Sequence, residues 1–180
     1  MLRITIPEAE YFDETTQSFI TTKEQTLSLE HSLVSISKWE SKWEKPFLSK
    51  DKKTTRETVD YIRCMTLTQN VDPNVYLAVN DDIVEQVSKY IDAPMTATWF
   101  NEDNNKRGGS GEVVTSEVIY YWMIALNIPP EYHKWHLNRL LTLIRVCNAK
   151  NNPKKMSKKD IFAQNRALNA ARKKQSHKKG

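Results

Sequence analysis

Residues 115–150 read TSEVIYYWMIALNIPPEYHKWHLNRLLTLIRVCNAK and concentrate more large apolar side chains than any other part of the 180-residue chain. In the first half Val118, Ile119, Trp122, Met123 and Leu126 recur at spacings of one, three and four, a helix period with one wide apolar stripe. In the second half Trp135, Leu137, Leu140, Leu141, Ile144 and Cys147 make a similar stripe, with His136, Asn138, Arg139 and Arg145 largely off it. The two runs are broken only at Ile128, Pro129 and Pro130. Pro130 suits the first position of a second helix, where its missing N–H would have had no partner in any case. The segment therefore predicts a helical hairpin whose apolar stripes must be buried.

Upstream of it the pattern changes twice. In the first thirty residues Leu2 and Ile4 alternate with polar residues, Pro7 ends the run, Phe19 and Ile20 start another, and Leu27 and Leu29 alternate again, which predicts a small sheet or hairpin. From His31 the period becomes helical, with Leu33, Ile36, Trp39, Lys42 and Trp43 on one surface and Pro46 as the stop. Thr54 and Glu57 have the spacing of a capping box, followed by a helix with Val59, Ile62, Met65 and Leu67 on its buried side. Asp72-Pro73 marks a turn, and Asn80 caps a helix bearing Ile83, Val84, Val87, Tyr90 and Ile91. Residues 95–100 alternate weakly and are expected as a further strand. Residues 101–111, NEDNNKRGGSG, form a flexible loop by composition. Its lysine precedes the glycines, so the pattern departs from a phosphate-binding loop.

The net charge of +5 conceals a division. Residues 150–180 hold eleven Lys or Arg against Asp160 alone, which leaves 16 basic and 21 acidic residues in positions 1–149. An acidic body thus carries a basic tail, and such segregation points the tail toward an acidic surface, whether protein, nucleic acid or its own body. Lys158, Lys159, Arg166, Arg172, Lys173 and Lys174 are its candidate contact residues. A solvated end is the plain alternative. Nucleic-acid contact is disfavoured, because Phe162 is the tail's lone aromatic and the body is acidic. Ile161, Phe162 and Leu168 among the bases favour a protein groove.

No run approaches the roughly 20 apolar residues of a spanning helix, and the opening MLRITIPEAEYFDE lacks the regions of a signal peptide, so a cytoplasmic protein without membrane contact is expected. Cys64 and Cys147 sit in apolar helical patterns and read as buried structural thiols. His133 and His136 lie three apart with Glu131 nearby, but no motif supplies a third metal ligand. His31 reads as a cap or a core hydrogen-bond partner. Asp81 and Asp82 are adjacent and diverge on a helix, a poor acid–base pair and a good helix-start charge. No nucleophile signature is present. The chain reads as a non-enzyme, with no catalytic, cofactor or metal site.

Two stretches, SLEHSLVSISKWESKWEKPFL at 28–48 and SEVIYYWMIALNIPPEYHKWHLNRLLTLIRVCNAK at 116–150, together resemble the tail assembly chaperones of long-tailed bacteriophages, and the tail MSKKDIFAQNRALNAARKK is similar to the Asn/Ala/Arg-rich ends of that group. The resemblance implies a protein of the host-cell cytoplasm that coats the long, aggregation-prone tape measure protein until the major tail protein polymerises around it. It implies self-association as well, and in some members a frameshifted extended form. A permanent virion component, such as an adaptor or baseplate subunit, and a nucleic-acid-binding accessory protein are the alternatives.

The expected architecture is a mainly helical α+β domain over 1–150, with a β element at 1–30, a helical body at 31–150, and a loosely attached basic helix at 151–180. The large anchors Trp39, Trp43, Tyr121, Trp122, Trp135 and Leu137 are the candidate partner-binding residues, from which the domain's own core must also be built.

Overall fold

In the computed structural model of the chain, residues 1–14, 17–98, 100, 113–151 and 166 are described. The fold is α+β and mainly helical. Four strands lead, β1 (Leu2–Ile6), β2 (Ala9–Asp13), β3 (Ser18–Thr22) and β4 (Gln25–Leu29), followed by α1 (Leu33–Trp43), α2 (Thr55–Met65), a 3-10 helix at Pro73–Ala78, α3 (Asp81–Asp92), α4 (Ser116–Ala125), a second 3-10 helix at Pro130–Lys134, and α5 (Leu137–Asn151). The chain divides into two compact units, Met1–Arg145 and Val146–Gly180.

The strands form two antiparallel ribbons, one nested in the other. β1 pairs with β4 from Leu2↔Leu29 to Ile6↔Gln25, and β2 pairs with β3 from Ala9↔Thr22 to Asp13↔Ser18. Because side chains alternate along a strand, Ile4, Ile6, Leu27 and Leu29 share the inner face and are buried, while Thr5 and Thr26 meet hydroxyl to hydroxyl outside, 3.1 Å apart. The free edge of β4 is covered by the exit of α2: Glu30 N donates to Met65 O at 2.9 Å and Leu67 N to Ser28 O at 2.8 Å. Covering an edge in this way removes a template for unwanted strand addition.

β2 is a strand that the sequence pattern does not announce, since AEYFD puts one aromatic on each face and so lacks apolar–polar alternation. Conversely, residues 95–98 and 100 contain no strand; Met95, just after Pro94, takes a left-handed φ of 50°, which breaks an extended run. Leu67 also departs from expectation. It lies beyond the end of α2 in the segment that pairs with β4 and is exposed.

The helix starts are set locally. Thr54 and Glu57 form the reciprocal capping box, and the Asn80 side chain accepts from Ile83 N at 3.0 Å. At α1 the cap is Ser32, which exchanges hydrogen bonds with Ser35. Thr115 stands at the cap position of α4 without a side-chain bond to the helix amides. The first turn of α4 is instead served from a distance, because the buried Glu40 carboxylate accepts from Ser116 N at 2.8 Å through Oε2 and from Phe47 N at 2.7 Å through Oε1. A carboxylate at a helix N-terminus satisfies an orphan amide and complements the dipole.

The segment 115–150 differs from an uninterrupted helical hairpin. α4 closes with Asn127 in the left-handed region at φ 51° and Ile128 N returning to Met123 O at 2.8 Å. Pro130 then opens a 3-10 helix, and residue 135 is extended, with ψ of 159°. Ser32 and His136 form an isolated antiparallel bridge, with Leu137 N donating to His31 O at 2.8 Å. The α-helix therefore begins only at Leu137. This pairing buries His136, against its expected position off the apolar stripe. α4 and the second 3-10 helix both pack on α1, as does α2. The core of the first unit is closed by Leu33, Ile36 and Trp39 of α1, Tyr61, Ile62 and Met65 of α2, Ile83, Val87 and Tyr90 of α3, Ile119 and Met123 of α4, and Leu137, Leu140 and Ile144 of α5.

Candidate functional site

The six anchor residues separate by burial. Trp39 and Leu137 are 1% exposed and leave the list of contact candidates. Trp39 sits in an aromatic cluster, edge-on to Phe47 with ring centroids 5.2 Å apart, and its Nε1 donates to Glu57 O at 2.9 Å. Leu137 closes the core at the start of α5. Their burial follows from tertiary pairing that a helical period alone does not specify.

Trp43, Trp122 and Trp135 are partly covered. Trp43 stacks on Trp39 and donates from Nε1 to Asp60 Oδ2 at 2.9 Å. The same carboxylate meets Lys42, and Lys45 pairs with Glu57 at 2.6 Å. Hydrogen bonds from Lys45, then from the Thr54 amide and hydroxyl, hold the Glu57 carboxyl down at about 2. Trp135 stacks on Tyr132 at 4.2 Å, with the Arg139 guanidinium 4.0 Å from its ring centroid. Both indoles are thus held by neighbours, with their outer surfaces edged by cations.

Tyr121 alone of the six is exposed, at 66%, and Ile124, three residues on, is 74% exposed. On a helix with 100° per residue, Glu117, Tyr121, Ile124 and Ala125 share the side opposite the buried Ser116, Ile119 and Met123, and all four are exposed. Glu117 stays ionised beside this patch: hydrogen bonds from its own backbone N–H and the Thr115 hydroxyl hold its carboxyl below the usual range. α4 therefore carries two apolar surfaces, one used inside the domain and one open. Ile124 is missed by the stripe reading, although its i, i+3 relation to Tyr121 opposite that stripe is visible in YYWMIAL.

His31 and His136 are buried and hydrogen-bonded within the core. His136 accepts from Asn138 N through Nδ1 at 3.3 Å, so Nε2 carries the proton and donates to Tyr90 O at 3.0 Å. His31 Nδ1 is hydrogen-bonded to Tyr61 Oη at 2.5 Å, and burial, then the nearby His136, lowers the His31 pKa to about 3. His133 instead approaches the Tyr120 hydroxyl at 3.4 Å. Among the described residues no three His, Cys, Asp or Glu side chains gather as a metal site. Cys64 and Cys147 are half-buried, and burial pushes the Cys64 thiol up to about 11, away from reactivity. No described helix is long and apolar enough to cross a membrane.

Of the basic-tail candidates, Arg166 is helical and exposed. Lys158, Lys159, Arg172, Lys173 and Lys174 lie outside the described residues, as does the 101–111 loop. No protein-family model matches the chain, and no match is found among curated proteins or solved structures.

Proposed function

We propose that this chain is a non-enzymatic tail assembly chaperone of a long-tailed bacteriophage, which binds the tape measure protein in the host-cell cytoplasm and keeps it soluble until the major tail protein polymerises around it. The observation that carries this reading is the open face of α4, where Tyr121 and Ile124 stand one turn apart at 66% and 74% exposure. A helix that packs its Ile119/Met123 side into the domain and leaves an aromatic and a β-branched side chain in water is built to receive the apolar side of another helix.

The physical task matches that surface. A tape measure protein is long and helical, and its apolar stripe aggregates unless covered. An amphipathic partner laid along α4 would bury Tyr121 and Ile124, whose aromatic ring and stiff aliphatic branch lose little side-chain freedom on contact. Trp122, half-covered on the flank of the same helix, extends the apolar area. The resemblance of residues 28–48 and 116–150 to the phage chaperones supports the reading from the sequence side.

The test is co-expression with the phage's tape measure protein. This chain should move the tape measure protein from the pellet to the soluble fraction and co-purify with it. Equal precipitation with and without this chain overturns the proposal.

A further inference from the structure

The β2–β3 ribbon has two dissimilar faces. Opposed residues in an antiparallel pair point the same way, and the register Tyr11↔Ile20 and Ala9↔Thr22 puts those four on one face. They are half-buried or buried, and Thr22 Oγ1 donates to Ala9 O at 3.2 Å. The other face carries Glu10, Phe12, Phe19 and Thr21, all exposed. Phe12 and Phe19 are 54% and 68% exposed and meet edge-to-face with centroids 5.2 Å apart. Phenylalanine has no polar group to justify that exposure, and a directly opposed aromatic pair on the outside of a two-stranded ribbon is a ready anchor.

The charge around this pair selects what can cover it. Residues 8–24 hold Glu8, Glu10, Asp13, Glu14 and Glu24 against Lys23. Five acids against one base repel nucleic acid and anionic lipid, and two such ribbons meeting face to face would repel each other. The matching occupant is cationic and carries apolar side chains of its own. This chain has one such segment, because residues 152–180 hold ten Lys or Arg against Asp160, with Ile161, Phe162 and Leu168 among them. We propose that the outward face of the β2–β3 ribbon receives the basic C-terminal segment of a second copy, with Phe12 and Phe19 contacting its apolar residues and Glu10 and Glu14 its lysines. Head-to-tail contacts of this kind are heterologous and do not close on themselves, so they string copies into a row. The contact is independent of what α4 binds.

The experiment uses the full chain as a one-to-one mixture of isotopically light and heavy copies, treated with a zero-length carbodiimide that joins lysine to carboxylate, and mapped by mass spectrometry. Mixed-mass peptides linking Lys158, Lys159, Lys173 or Lys174 to Glu10 or Glu14 are expected. Their yield should fall about tenfold in Phe12→Ser/Phe19→Ser, and also when salt rises from roughly 0.05 to 0.5 M. Since both phenylalanines point outward, the variant should keep the parent's thermal transition; Glu10→Lys/Glu14→Lys serves as a second variant that loses the attraction while keeping the aromatic pair. Tail lysines linked chiefly to acids elsewhere, such as Asp81, Asp82 or Glu85, would overturn the proposal. Mixed-mass links that persist undiminished in both variants, or their absence from the wild-type mixture, would do so too.

Discussion

The imidazole rings of His31 and His136 meet edge-to-face inside the core, with centroids 5.1 Å apart and 67° between their planes. One ring comes from the β4–α1 corner and the other from the residue before α5, and the backbone bridge between Ser32 and His136 holds them together. Tyr61 and Phe47 border His31, with Ser35 Oγ hydrogen-bonded to the Tyr61 hydroxyl, and Tyr90, whose hydroxyl donates to Glu30 at 2.6 Å, borders His136. This contact ties the first and last body elements into one core, and both rings must remain neutral to keep it. His136 has no acceptor for a proton on Nδ1, since that nitrogen already faces the Asn138 N–H.

Acid should therefore loosen the fold. His31 is lowered from 6.5 to about 3 by burial and by its neighbour, and His136 is lowered by burial. Below pH 6.5 the unfolded chain takes up protons that the native state refuses, so this stability is fully present above about 6.5 and drains as the pH falls toward 3. Each such proton contributes a slope of about 1.4 kcal/mol per pH unit. Glu57, lowered from 4.5 to about 2, acts in the same direction between those values. Urea midpoints should hold nearly level from pH 7.5 to about 6.5 and decline from there to pH 5, and His31→Phe should flatten the decline; a profile level down to pH 5 would count against the neutral pair.

Glu40→Gln tests the long-range cap of α4. The carboxylate gives one oxygen to Phe47 N and the other to Ser116 N, whereas an amide has only one oxygen. One buried N–H loses its acceptor, at a cost of about 1–3 kcal/mol. The urea midpoint at pH 7 should fall accordingly. An unchanged midpoint would mean that Glu40 does not hold these two elements together.

How much of this was legible beforehand depended on the range of the interaction that decided it. The capping box at Thr54 and Glu57, the Asn80 cap and the stripe of α4 are set by neighbours within one turn, and the sequence pattern specifies them. The late start of α5 is decided by strand-like pairing of His136 with Ser32, about a hundred positions away in sequence, which no local period encodes. Burial of Glu40 is similar, because its acceptors matter only once Ser116 has been brought to it. In the candidate surface, Tyr121 was identified, but burial separates it from Trp39, whose spacing looked equally amphipathic. Phe12 and Phe19 were invisible as a pair until register set them opposite each other.

Trp39 and Tyr121 should consequently respond in opposite ways to truncation. Trp39→Ala empties a buried site and removes the donor to Glu57 O, and should cost about 3–5 kcal/mol. Tyr121→Ser lies on an open face and should change stability by no more than about 0.5 kcal/mol. Thermal or urea unfolding of the two variants measures the contrast, and comparable losses would refute the assignment of one to the core and the other to a contact surface.

Truncation after Asn151 should leave a cooperatively folding body. Among the described residues every buried apolar side chain lies between Ile4 and Ile144, so the removed segment takes none of them away. A single sigmoidal unfolding transition close to that of the full chain is the expected result. Loss of cooperativity would show that residues 152–180 complete the core.

The most direct measurement is the soluble fraction of the phage tape measure protein when it is co-expressed with the wild-type chain or with Tyr121→Ser/Ile124→Ser, the variant first being shown to keep the wild-type unfolding midpoint. Wild-type chain is expected to hold the tape measure protein in solution, and the variant to leave most of it in the pellet while staying soluble itself. Full solubilisation by the variant would contradict the role given to the open face of α4, and failure of the wild type to solubilise the tape measure protein would contradict the chaperone function itself.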